Sequence, residues 1–240
     1  MALAPAKLNL ELRVLGRRPD GTHEVETVLQ AIGLCDRLEI EPAARATLRV
    51  EGFSVTDGPD NLVLRAAAEI GLTARFRLTK VIPPGAGLGG GSSDAAAVLR
   101  SAGSGRADLA ALAARLGADV PFFLEGGRAR ATGRGEELEA LAAEPCWYAI
   151  AWPGFEVSTA AVYRAWDEVG GDGPNHLFRP ACAVEPRLER FAAGLGPGWV
   201  MTGSGSAFFQ EAAEEGRARS LVAGLGCWTA VAASIAGLAG

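Results

Sequence analysis

The sequence predicts an α+β fold, a strand-rich first part followed by a second mixed layer, and three observations carry that reading. Apolar and polar residues alternate in "KLNLELRVL" (7–15), "VETVLQAIGL" (25–34), "DRLEIEP" (36–42) and "ATLRVEG" (46–52), the pattern of successive strands. Helical spacing begins only after Asp60 and Asn61, in "NLVLRAAAEIG". Beyond "CWYAIAWPG" (146–154) the pattern restarts as helix, helix, strand, strand, helix, strand, which suits a second α+β layer. The division falls between residues 145 and 146, giving units 1–145 and 146–240.

The remaining elements follow in order. A strand "ARFRLTKVI" (74–82) leads into "PPGAGLGGGSSDAA" (83–96), whose alanine-rich end begins a helix near Ser92. Asp108 is positioned to cap the helix "DLAALAARLG". Gly170 to Pro174 reads as a loop within the second unit. Ser220 to Gly240 carries no charge over a length that could span a bilayer, but small residues dominate it. A helix ending near Gly224–Gly226 and a buried strand from Cys227 to Ala233 is the preferred reading, and a tail anchor is the alternative.

Composition narrows the function. With 240 residues, 49% of them hydrophobic, the chain can bury a substantial core. A formal charge of −5 argues against non-specific binding to nucleic acid, which needs a basic face. A small anionic ligand requires only local positive potential. Cys35, Cys146, Cys182 and Cys227 form no C-x-x-C pair, and the histidines are His23 and His176, so neither a metal centre nor a disulfide framework is indicated. Reduced thiols fit a cytoplasmic location. The stretch "MALAPAKLNLELR" lacks a basic region followed by an apolar run, so no secretory signal and no membrane partner are expected. Lys7 and Lys80 are the only lysines among 23 basic residues, which singles both out, chance survival being the alternative, and makes Lys7 a candidate for a site that needs an ammonium.

Between Gly85 and Ser93 stand five glycines and two serines. Gly85, Gly87 and Gly90 satisfy G-x-G-x-x-G, but Pro83 and Pro84 separate the first glycine from its strand, and Asp108, at the distance of the ribose-binding acid, opens a helix. Gly85 and Gly90 also have P-loop separation, yet Gly91 occupies the position of the phosphate-binding lysine. What survives is the physics common to both motifs. Glycines let successive N–H groups face one concavity, the helix start adds unpaired donors and a positive dipole end, and Ser92 and Ser93 add hydroxyls. This is a polyphosphate cradle.

Residues 83–93 match the pattern P-x-G-x-G-L-G-[GS]-G-S-S, and the stretch resembles the ATP loop of the GHMP kinases. "PAKLNL" (5–10) and "MTGSGSAFF" (201–209) look like that superfamily's first and third motifs. Within it, "RPDGTHEVETV" (18–28), "DNL" (60–62) and "LGADVPFFL" (116–124) most resemble the kinases of 4-diphosphocytidyl-2-C-methyl-D-erythritol. The resemblance implies a two-domain GHMP kinase fold, with a left-handed β-α-β crossover in the first domain and a ferredoxin-like second domain. It implies transfer of the γ-phosphoryl of ATP to the 2-hydroxyl of the erythritol moiety, with Mg2+ as cofactor, by a monomer or weak homodimer. The alternatives are another small-molecule kinase of the superfamily (mevalonate, homoserine or a sugar) or a silent ligand sensor, which would lack Lys7 or Asp119. The chain is short for the family around "RSAGSGRADL" (100–109).

By the same resemblance, Asp119 is the catalytic aspartate and Lys7 its partner; a cap before Val120 and Pro121 is an alternative or additional role for Asp119. ATP is assigned to Pro83, Pro84, Gly85, Ala86, Gly87, Leu88, Gly89, Gly90, Gly91, Ser92 and Ser93, with Asn61 and Lys80 near the adenine. Asp94, in the first turn of a helix beginning near Ser92, is expected to complement the helix dipole or, less directly, to touch the metal. Ser93 is the candidate metal contact. The acceptor substrate is assigned to Asn9, His23, Thr159, Tyr163, Gly203, Ser204 and Gly205, a plain hairpin turn being the alternative reading of 203–206. His23 is expected to hydrogen-bond the cytosine and Tyr163 to stack on it. Thr22 stands where the family usually has a tyrosine.

Overall fold

The structure is a computed structural model that describes residues 1–103 and 107–238. Part of the 100–109 segment noted as short therefore lies outside the described residues. Two strands dominate the first half: β1 (Ala2–Arg17) and β2 (His23–Pro42) form one long antiparallel hairpin. The sequence pattern suggested two strands across 25–42; they are one, because pairing with β1 resumes at Cys35 and Asp36 after a register shift at the apparent break. β3 (Thr47–Gly52) and β4 (Ala74–Lys80) pair in parallel, joined through helix α1 (Leu62–Glu69). α2 (Gly90–Gly103), α3 (Leu109–Leu116) and the short α4 (Phe122–Glu125) follow. β5 (Arg128–Thr132) and β6 (Glu137–Leu141) complete a sheet of order β3-β4-β2-β5-β6 with β1 beside β2. The β5–β6 hairpin was not read from the sequence, since its turn is Gly-Arg-Gly-Glu and four of the five β6 residues are exposed.

The second half opens on β7 (Trp147–Trp152) and continues through three helices, α5 (Thr159–Val169), α6 (Phe178–Val184) and α7 (Arg187–Leu195). Two helices were expected here. The extra break lies at Glu185, which is extended ahead of Pro186, because a residue before proline avoids the helical region. β8 (Val200–Met201), β9 (Phe208–Ala212), α8 (Glu215–Val222) and β10 (Trp228–Ala233) complete an antiparallel sheet of order β10-β7-β9-β8. In that order β9 separates the two strands of a helix-linked pair, the split βαβ arrangement of ferredoxin-like units. The apolar C-terminal stretch is thus a helix end and a strand, and no helix among the described residues is long and apolar enough to cross a membrane.

Burial explains how the hairpin sets the site. One core, with Phe76, Val98 and Phe122, lies between the first sheet and its helices. A second joins Ala6, Leu8 and Ile32 to Tyr148, Ile150 and Phe209; a third joins Leu12, Val14 and Val25 to Val162, Leu188 and Phe208. The β1–β2 hairpin therefore packs on elements from both sides of residue 146. Between Pro5 and Ala6 the register shifts, with Gly33 and Leu34 of β2 as the extra residues, and such a bulge bends the hairpin where it passes from one core to the next. Ala4 belongs to the first core and Ala6 and Leu8 to the second. Lys7 and Asn9 then share the intervening face.

Candidate active site

The glycine loop sits where β1, β4, α2 and the β8–β9 turn converge. Its backbone is tied on two sides: Lys7 N–H donates to Leu88 O at 3.0 Å, and Ala207 N–H to Ala86 O at 3.0 Å. Two glycines are indispensable for that fit. Gly87 has φ +78°, and a Cβ there would lie 2.3 Å from Thr202 O; Gly89 has φ +71°, and a Cβ would lie 2.9 Å from Phe123 Cζ. The glycines thus serve close packing of the loop as well as exposure of its N–H groups. α2 starts at Gly90, two residues before the expected Ser92, so Gly90, Gly91 and Ser92 form its first turn, where N–H groups lack intrahelical acceptors.

A cavity of about 570 Å³ opens over this turn. Every residue assigned to the site from the sequence lines it except His23 and Ser93. Lys7 and Asn9 come from β1, Asp119 from the turn after α3, Thr159 and Tyr163 from α5, and Gly203, Ser204 and Gly205 from the β8–β9 turn. That turn is both a hairpin connection and a wall of the cavity. Asp119 does not cap a helix directly: α4 begins at Phe122 with Pro121 as its cap residue.

Lys7 is almost fully buried. Burial holds its ammonium below the ordinary lysine range, and the Asp119 carboxylate opposes that effect. Its Nζ donates to Asn9 Oδ1, and Asn9 is held in turn by Nδ2 to Thr27 Oγ1 (2.8 Å) and by its own N–H to Thr202 Oγ1 (2.9 Å). Lys7 and Asp119 thus feel one another across the cavity, with no direct ion pair between them among the described residues.

Lys80 has a different engagement from the adenine contact expected of it. Its Nζ, beneath Gly90, is paired with Asp36 and with Asp94 Oδ2 (2.8 Å), all three side chains being buried. Burial lowers Lys80, but Asp94 and Asp36 outweigh it, and its pKa is raised. Burial pushes Asp94 up to about 7, with Lys80 opposing. Two carboxylates sharing one ammonium would otherwise carry an uncompensated buried charge. Asp36 also accepts from the N–H of Ile82 at 2.8 Å, which anchors the strand end feeding the loop. Because α2 begins at Gly90, Asp94 lies beyond its first turn, and it acts in an ion triad instead of complementing the helix dipole as expected. Asn61 caps α1, accepting from Val63 N–H (2.9 Å) while donating to Thr56 O (2.7 Å), and still lines the cavity. Ser93, the candidate metal contact, is fully buried within α2; its hydroxyl has no hydrogen-bond partner among the described residues.

His23 lies apart, in a second cavity of about 470 Å³ lined also by Arg17, Thr22, Tyr163, Arg164 and Asp167. Its ring stacks on Tyr163 (centroids 4.9 Å, 28°), meets the edge of Trp166, and its Nε2 bonds Asp167 Oδ1 at 2.8 Å. One ring nitrogen is therefore already engaged by protein. Thr22 bonds the Asp20 carboxylate through its hydroxyl and its N–H. Burial and the nearby Asp119 push the Tyr163 hydroxyl up to about 12, so it stays protonated.

Several residues that build this site were missed from sequence. Asn175 is buried, donates to Met201 O (2.6 Å) and Gly203 O (2.9 Å), and so fixes the β8–β9 turn. Asp36 and Thr202 play comparable roles from below and beside the glycine loop. Asp36 follows the apolar run that ends at Cys35 and is followed by Arg37, so it looks like the start of a polar stretch, and Asn175, in a Gly- and Pro-containing loop, gave no signal either.

The GHMP kinases N terminal domain matches residues 61–127. A relative from Pelotomaculum thermopropionicum, a 4-diphosphocytidyl-2-C-methyl-D-erythritol kinase, is 52% identical over 69% of this chain and 63% of its own length. A kinase of the same name from Thermus thermophilus is 41% identical over 94% of this chain and 92% of its own. A crystal structure of 4-(cytidine 5'-diphospho)-2C-methyl-D-erythritol kinase superposes with TM-score 0.76 at 40% identity, covering 96% of this chain and 98% of that one.

Proposed function

The chain belongs to the 4-diphosphocytidyl-2-C-methyl-D-erythritol kinase family of the GHMP kinases, and we propose that it transfers the γ-phosphoryl of ATP to the 2-hydroxyl of 4-diphosphocytidyl-2-C-methyl-D-erythritol. The observation that carries this reading is the convergence of Lys7 and Asp119 on one cavity whose floor is the glycine loop and the first turn of α2.

Phosphoryl transfer asks a protein to align nucleophile and phosphorus and to neutralise charge on the oxygens. The N–H groups of the first turn of α2 would take the phosphates. Asp119 would accept the proton of the 2-hydroxyl as the new O–P bond forms and the bond to ADP breaks. Lys7, held by Asn9, would polarise the hydroxyl and offset charge developing on the transferring oxygens. Asn9 and the 203–205 turn would position the polyol. Magnesium would come as a companion of the phosphates, since magnesium sites need few protein ligands; the Ser93 hydroxyl, although unpartnered, is fully buried and stands behind the cavity wall. Bound with the phosphates, it would neutralise charge on the β- and γ-phosphate oxygens.

The cytidine would occupy the second cavity, against the Tyr163 ring, with the remaining ring nitrogen or backbone of His23 at its edge. The four free cysteines support a reducing, cytoplasmic setting. The test is ADP release by the purified protein with the cytidine-linked polyol, set against mevalonate, homoserine and galactose. Turnover confined to the first supports the reading, and preference for any other substrate overturns it.

A further inference from the structure

The two cavities share three lining residues, Ala118, Arg134 and Tyr163. Of these only Arg134 is charged. It sits in the β5–β6 turn, which is fastened to β2 by a bond from Val25 N–H to Gly133 O at 2.8 Å and closed by Gly135 N–H to Thr132 O at 3.0 Å. The turn therefore holds a fixed place beside His23, two residues before Val25. Glu136 engages Arg134 through Nε (Nε to Oε1, 3.1 Å), and the terminal guanidinium nitrogens make no hydrogen bond among the described residues. An arginine presents five donors, so the end that can grip two oxygens side by side is free for a ligand. Although the chain is acidic overall, the second cavity carries Arg17, Arg134 and Arg164 against one acid, Asp167.

We infer that Arg134 binds the diphosphate of the acceptor substrate and thereby sets how far the polyol reaches toward Asp119. The inference rests on the reading that the acceptor is a cytidine diphosphate-linked polyol. With its base in the second cavity and its reacting hydroxyl at Asp119, such a molecule must carry its diphosphate through the junction that Arg134 borders. A donor nucleotide makes no such demand, because its phosphates end at the first turn of α2.

The test compares wild type with Arg134→Ala and Arg134→Lys, after a thermal melt confirms that each is folded. Steady-state KM is measured for both substrates, along with inhibition by CDP and by cytidine. Arg134→Ala should raise the acceptor KM and weaken CDP by at least about tenfold, the loss expected for charge-assisted hydrogen bonds. Cytidine inhibition and the KM for ATP should move less than about twofold, since neither uses the same contacts. Arg134→Lys should recover part of the loss, a charge without the fork. Equal loss for CDP and cytidine, an unchanged acceptor KM, or a rise confined to ATP would each overturn the assignment. Wild type that does not turn over the cytidine-linked polyol would instead overturn the proposed function, so the two failures are distinguishable.

Discussion

The phosphate cradle and the second cavity differ in how the chain builds them. The cradle is contiguous: residues 83–92 all line the main cavity, and their neighbours Lys7 and Ala207 bind them through backbone groups. The second cavity is assembled from the start of β2, the turn after α3, the β5–β6 turn and α5, and its contacts are made by side chains. A site made of successive backbone amides tolerates little change within one stretch of sequence. A site made of side chains from distant segments can be retuned one residue at a time. Nucleotide affinity and acceptor affinity should therefore respond to different substitutions.

The largest effect is expected from Gly89→Val. A branched side chain at φ +71°, pressed on Phe123 and Lys7, must displace the loop. ATP affinity should fall by at least about a hundredfold, corresponding to a few kcal/mol of backbone strain. A folded variant with wild-type affinity for ATP would mean that the loop geometry is not what holds the phosphates. Asp119→Asn conserves shape and removes the proton acceptor, so turnover should drop about 10²-fold with ATP affinity retained. Combined with Lys7→Ala, its loss should be less than the product of the single losses, because both act on one proton transfer. Independent, multiplying losses would separate the two residues.

Smaller effects should fall on the second cavity. Tyr163→Ala removes a stacking face, which contributes about 1–3 kcal/mol to holding a base, so the acceptor KM should rise at least about tenfold. Asp167→Asn replaces a charged partner of His23 by a neutral one and should raise the acceptor KM by about two- to fivefold, leaving kcat unchanged. A kcat change without a KM change would place Asp167 in the chemistry instead.

The same contrast explains what could be read from sequence. The loop was legible because its chemistry is written in consecutive residues, and the two lysines were conspicuous in a chain that otherwise uses arginine. Even so, the Lys80 engagement was not: its partners Asp36 and Asp94 become neighbours only when β2, β4 and α2 pack together. The strand-and-helix outline was legible from period, apart from the short α4, the β5–β6 hairpin with its solvent-facing β6, and the proline-bounded break between α6 and α7. The His23 environment was the least legible, since three side chains spaced along one face of α5, Tyr163, Trp166 and Asp167, reach a residue from the other half of the chain. Arg134 lay hidden for a related reason, as an arginine between two glycines looks like any surface turn.

A crossed titration tests the separation most directly: wild type, Gly89→Val and Tyr163→Ala, each titrated calorimetrically with a non-hydrolysable ATP analogue and with CDP. Gly89→Val should lose the ATP analogue and keep CDP within about twofold, while Tyr163→Ala should weaken CDP at least about tenfold and keep the ATP analogue. If either variant weakens both ligands to the same degree, the two grips are one cooperative unit and the division drawn between them is contradicted.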